Sequence, residues 1–165
     1  MLTPAQKAAI QRQYLTAAIT AGAMSVAILL YSMIASVLEK KLAGAAHPIQ
    51  HYGILRLVMY LIAITHIGVA PFIQTFMLER KERIPAAKLT DAVIENLCRR
   101  RMQGMLAIMA LSQATAIYGL ILMFLTHAIG DFYFLSAIAL AAIVFFFPRP
   151  AQWEAWVLEN TSKAV

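Results

Sequence analysis

The sequence predicts an all-α fold, an integral membrane four-helix bundle, and three observations carry that reading. Four long apolar runs fill most of the 165 residues, and no Asp, Glu, Lys or Arg falls inside any of them. The chain is 61% hydrophobic and 13% charged, with the charges confined to the gaps. The runs are continuous rather than alternating, which argues for helices and against a β-barrel. About 20 apolar residues in a helix cross the ~30 Å hydrocarbon core of a bilayer. Most of the chain is therefore expected to have lipid, not water, as its solvent.

Span one is expected over about Ala17 to Leu38. It resembles a signal peptide, because Lys7 and Arg12 precede it and Ala43-Gly44-Ala45 looks like a cleavage site. The run is too long for a signal h-region, and Glu39-Lys40-Lys41 separates it from the small residues, so it is read as a retained span. Span two is expected over about Leu57 to Leu78, with a kink at Pro71 and Gly68 one turn before. Span three covers about Met102 to Leu125, and span four about Phe132 to Phe147. The fourth is short, ~24 Å at 1.5 Å per residue, and Pro148 and Pro150 end it.

The stretch between spans two and three, residues 79–101, is the longest connection. Within it Thr90-Asp91 is a helix-start signal with an acid in the first turn. Val93, Ile94 and Leu97 then share a face, so this helix is expected to run on into span three. After Pro150, Trp153, Trp156 and Val157 form one stripe. Tryptophan favours the membrane interface, so residues 151–158 are expected to form a short interfacial helix; a docking peptide for a partner is the alternative. No segment is long enough for a separate soluble domain, and residues 1–165 are read as a single membrane domain.

Net charge is +6. Its distribution is explained by topology, with no need for a nucleic-acid partner. The N-terminal tail, the central connection and the C-terminal tail hold 11 of the 14 basic residues; the other side holds only Lys40, Lys41 and Arg56. The positive-inside rule then places both termini in the cytoplasm, in a bacterial inner (plasma) membrane. Arg99, Arg100 and Arg101, with Trp153 and Trp156, are the expected contacts to lipid headgroups. Cys98 is the single cysteine, so an internal disulfide is excluded.

One ionisable side chain falls at mid-span, His66. Gln113 is expected at the same depth in span three, with Ser25, Ser112 and Thr115 close to that level. A buried polar layer follows, with His66 hydrogen-bonded to Gln113 or to a hydroxyl. It would either fix helix register or form part of a proton or ligand path. On the other side of the membrane lie His47, His51, His127 and Asp131. His47 and His51 have i, i+4 spacing, which suits a metal, but Pro48 falls between them. No metal or other cofactor is assigned. Met102, Met105 and Met109 form a stripe read as packing.

Spans one and three share a pattern: Ser25 lies six residues before Tyr31-Ser32, and Ser112 six residues before Tyr118-Gly119. Small residues recur at four-residue spacing in both, as in Ala21/Ser25 and Ala110/Ala114. Two helix hairpins related by duplication would produce this; so would chance similarity between alanine-rich spans.

The segment from Ser112 to Ile121, SQATAIYGLI, resembles the carboxylate-bearing helix of the ring (proteolipid) subunit of V-type rotary ATPases. That family places an ion-carrying acid before an Ala-Ile-Tyr-Gly-Leu stretch; here the position is Gln113, which does not titrate, and the matching position in span one is Val26. The resemblance implies a related helix and not the rotor chemistry. The C-terminal pattern, Phe147-Pro148-Arg149 followed by Gln152-Trp153-Glu154-Ala155-Trp156, resembles small four-span bacterial membrane proteins of unassigned function.

No phosphate loop, HExxH motif, nucleophile elbow or paired carboxylates occur, and no enzyme is expected. The reading is a non-catalytic inner-membrane protein, an accessory or structural subunit of a larger complex or a homo-oligomer, whose partners are lipid and other membrane subunits or copies of itself. The alternative is a proteolipid-like ion transport or channel component that uses the mid-membrane polar layer. A haem or metal carrier is a third, weaker reading.

Overall fold

The computed structural model describes residues 3–42, 52–73, 75–76 and 90–161, and the described secondary structure is helical. Five helices follow in order: α1 (Pro4–Leu42), α2 (Tyr52–Ile73), α3 (Asp91–Thr126), α4 (Ile129–Phe145) and α5 (Pro150–Thr161). Three of them, α1, α2 and α3, are long and apolar enough to cross a membrane; α4 and α5 together make a fourth such segment, bent by 54°.

Local chemistry sets the ends. At the start of α1 the Thr3 amide donates to Gln6 Oε1 at 2.9 Å and the Gln6 amide to Thr3 Oγ1 at 3.3 Å. This reciprocal pair is a capping box, with Pro4 at the first helical position, where its missing N–H costs nothing. Thr90 is the N-cap of α3 in extended backbone, although its side chain makes no capping hydrogen bond. Thr90-Asp91 is thus the helix start expected from the sequence, and α3 runs unbroken through Arg99–Arg101 to Thr126. α2 continues through Pro71 to Ile73.

The helices α1 and α3 are much longer than a bilayer requires. At 1.5 Å per residue they measure about 58 Å and about 54 Å. Their basic ends project past the apolar stretch, and α5 folds back onto them. There Ile10 and Ala17 of α1, Ile94, Cys98 and Met105 of α3, and Trp153 and Val157 of α5 make one buried cluster. Gln6 Nε2 donates to Asp91 Oδ1 at 3.2 Å, tying the two helix starts together.

α3 is the axis of the bundle: α1, α2, α4 and α5 all pack on it. The tightest approach is to α4. A Cβ built on Gly119 would meet the Phe132 Cα at 3.0 Å and the Leu135 Cβ at 3.1 Å, so only glycine fits there without a shift. The reversal between α3 and α4 is equally tight. His127 sits in left-handed backbone (φ 56°), and its amide closes the helix on the Met123 carbonyl at 2.8 Å.

α2 lies at the edge, with Ala63 and Ala70 its buried residues. The two sequential pairs are not packed alike. α3 and α4 form a close hairpin, whereas α1 and α2 scarcely touch among the described residues. The packing therefore lends the duplication of hairpins no support. The methionine stripe of α3 is core, with Met105 and Met109 buried.

Candidate functional site

Polar side chains gather at three levels of the bundle. At the end away from the termini, Asp131 in the first turn of α4 is 4% exposed. Arg56 Nη2 lies 2.8 Å from its Oδ1. The Tyr60 hydroxyl donates to Oδ1 at 3.0 Å, and the Tyr52 hydroxyl donates to Oδ2. Tyr52, Arg56 and Tyr60 are four residues apart, so one face of α2 presents all three donors. Tyr60 also stacks on Phe134, ring centres 5.7 Å apart. The carboxylate thus clamps the edge helix to α4. The sequence reading placed Arg56 and Asp131 on the same side of the membrane without joining them.

At mid-depth the layer expected from the sequence is only partly joined. His66 Nδ1 lies 3.3 Å from the Tyr118 hydroxyl, with ring centres 5.5 Å apart. Its partner is thus a hydroxyl rather than Gln113. The Gln113 Oε1 is buried without a hydrogen-bond partner. Ser25, Ser112 and Thr115 each turn their hydroxyls back to a carbonyl of their own helix, those of Ala21, Ile108 and Leu111. A serine or threonine in a helix satisfies itself this way at no cost in partners. No continuous chain of polar groups links these five side chains among the described residues. Ser136 of α4, also buried with an unpartnered hydroxyl, was missed from the sequence.

At the basic end two of the five expected headgroup contacts, Trp153 and Arg101, turn inward. Trp153 is 0% exposed and meets α1 and α3 rather than headgroups, with its ring edge-on to Tyr14 at 6.4 Å. Arg101 is 9% exposed. Its guanidinium carbon lies 5.5 Å from the centre of the Trp153 ring and 5.1 Å from that of Trp156, a cation between two indoles. The physical reason is the 54° bend between α4 and α5, which turns the tryptophan stripe onto α1 and α3. Arg99 stays exposed and Arg100 is half-buried. Burial pushes the Cys98 thiol up to about 11 and brings the Arg101 guanidinium down to about 10.

A cavity of about 250 Å³ opens beside Arg101, lined also by Met105, Ile108, Phe145–Phe147, Arg149 and Gln152. No group of three or more His, Cys, Asp or Glu side chains converges among the described residues. His127 serves as a helix cap; His47 and His51 lie outside the described residues. No known protein family, curated protein or solved structure matches the chain.

Proposed function

We propose that this chain is a non-catalytic polytopic inner-membrane protein that serves as an accessory or structural subunit of a larger membrane complex, or assembles with copies of itself. The observation that carries this reading is α2. Ile54, Leu57, Leu61, Ile64 and Phe72 are exposed on it, and only two alanines are buried. α1 likewise exposes Leu15, Ile19, Leu29, Leu30, Met33 and Val37. Apolar surface on this scale requires lipid or another membrane subunit as its neighbour. Both termini are assigned to the cytoplasm by the positive-inside rule, and the basic cap made by α1, α3 and α5 then stands on that side.

A proteolipid-like transporter would instead use His66, the ionisable side chain at mid-depth, together with Tyr118. Extraction in a mild detergent, followed by sizing and identification of what migrates with the chain, separates the two readings. Co-migrating polypeptides, or a closed oligomer without ion flux in liposomes, support the structural role. A ring of identical chains that passes ions, and stops doing so in His66→Leu, would replace it.

A further inference from the structure

Arg101 poses a physical problem. A guanidinium taken out of water loses its solvation, and an anion is the usual compensation. Two indole faces supply part of that by cation–π attraction. Arg101 forms no ion pair with a carboxylate among the described residues, and its Nε is buried with no hydrogen-bond partner. The residues around it do not complete the site.

The cavity that Arg101 lines supplies the rest of a binding pocket. Arg149 gives a second guanidinium and Gln152 an amide. Both belong to the bend and the first turn of α5, a helix with no acid in that turn, so its positive end also borders the space. No carboxylate lines the cavity. At about 250 Å³ it falls below the ~300–1,000 Å³ of pockets for drug-sized ligands, the scale of a headgroup rather than a whole lipid. Its mouth carries Phe145, 77% exposed, next to exposed Val144. One buried and one exposed guanidinium beside exposed apolar side chains suit a ligand that is anionic at one end and greasy at the other.

We propose that this pocket binds one anionic phosphate group, supplied by a phospholipid head at the bilayer surface, between Arg101 and Arg149. Two arginines suit a phosphate because each offers a fork of donors to its oxygens. The ligand would lock the α4–α5 bend against α3. The phosphate chemistry stands on the pocket itself, while the lipid as its source rests on the membrane reading above.

The chain's two tryptophans both flank Arg101, so their emission reports on this site alone. Purified full-length protein in an uncharged detergent is titrated with phosphatidylglycerol, phosphatidylcholine and inorganic phosphate. The expected result is saturation by phosphatidylglycerol at one per chain with a change in emission. Kd should rise at least tenfold in Arg149→Gln, whose side chain is exposed, and stay unchanged in Arg99→Gln. Arg101→Gln should abolish binding; if that variant fails to fold, Arg149→Gln still decides. Saturation by inorganic phosphate without any by phosphatidylglycerol would keep the phosphate site and overturn the lipid source. Equal weakening by Arg99→Gln and Arg149→Gln, or equal binding of phosphatidylcholine, would overturn the pocket. Membrane integration is measured separately by carbonate extraction, so the two failures are distinguishable.

Discussion

Arg56 of α2 and Asp131 of α4 meet at 2.8 Å, and the carboxylate is almost wholly inside the protein while the guanidinium is half in solvent. The acid is therefore the group that depends on its partners. Hydrogen bonds to a charged group contribute about 1.5–3 kcal/mol each. Asp131→Asn keeps the shape and removes the charge. It should destabilise the bundle by roughly that amount and free α2 first. Thermal unfolding in detergent, with proteolysis near Tyr52 as a local probe, checks this. Unchanged melting together with an unchanged cleavage pattern would contradict the clamp.

The pairing could not be read from the sequence. Asp131 lies 71 and 79 positions from the tyrosines that donate to it, and nothing local in the chain links them. The choice of mid-depth partner, Gln113 or a hydroxyl, stayed open for a related reason. Hydropathy fixes how deep His66 lies but not which way it faces, so Tyr118 and Gln113 could not be told apart. Trp153 shows the same limit, because a stripe at helical spacing looks alike whether it meets lipid or core. What was legible was local: the four apolar runs, the Thr90-Asp91 start, the unbroken passage into span three, and the proline stop after Phe147.

A methyl group at Gly119 should push α4 away from α3. In Gly119→Ala the added methyl would meet backbone of α4 at 3.0 Å, and overpacking of this kind costs about 1–3 kcal/mol. At Gly22 of α1 an added methyl would find nothing within 4 Å, so Gly22→Ala should be neutral or stabilising by up to ~1 kcal/mol. Paired melting curves of the two variants check the closeness of α3 and α4.

Tyr118→Phe and His66→Leu should each cost little, near the ~0.6 kcal/mol typical of a hydrogen bond between membrane helices. Their double variant should lose no more than either alone, because both remove the same bond. A double-mutant cycle on unfolding free energy measures the coupling; strict additivity would show that the pair does not interact.

Cys98 should be chemically quiet. Its thiol is displaced upward, from 9.0 to about 11, chiefly by burial. At pH 8 the thiolate, which is the nucleophile, should then be about a hundredfold scarcer than in the unfolded chain. Maleimide labelling should be slow until denaturant is added. The folded state favours the protonated thiol, so its contribution to stability is complete below about pH 9. It is lost as pH rises toward about 11, and Cys98→Ala should remove that component of the alkaline decline.

If lipid bathes the exposed apolar faces of these helices, water-borne reagents should not reach them. Single cysteines at Met33, Ile64 and Val144, in a Cys98→Ala background, can be challenged with a water-soluble maleimide in opened native membranes. A fourth at Gln11, on the projecting end of α1, serves as the reference. Labelling should be rapid at position 11 and absent at the other three until the bilayer is dissolved. Labelling of position 64 as fast as position 11 in intact bilayer would contradict this.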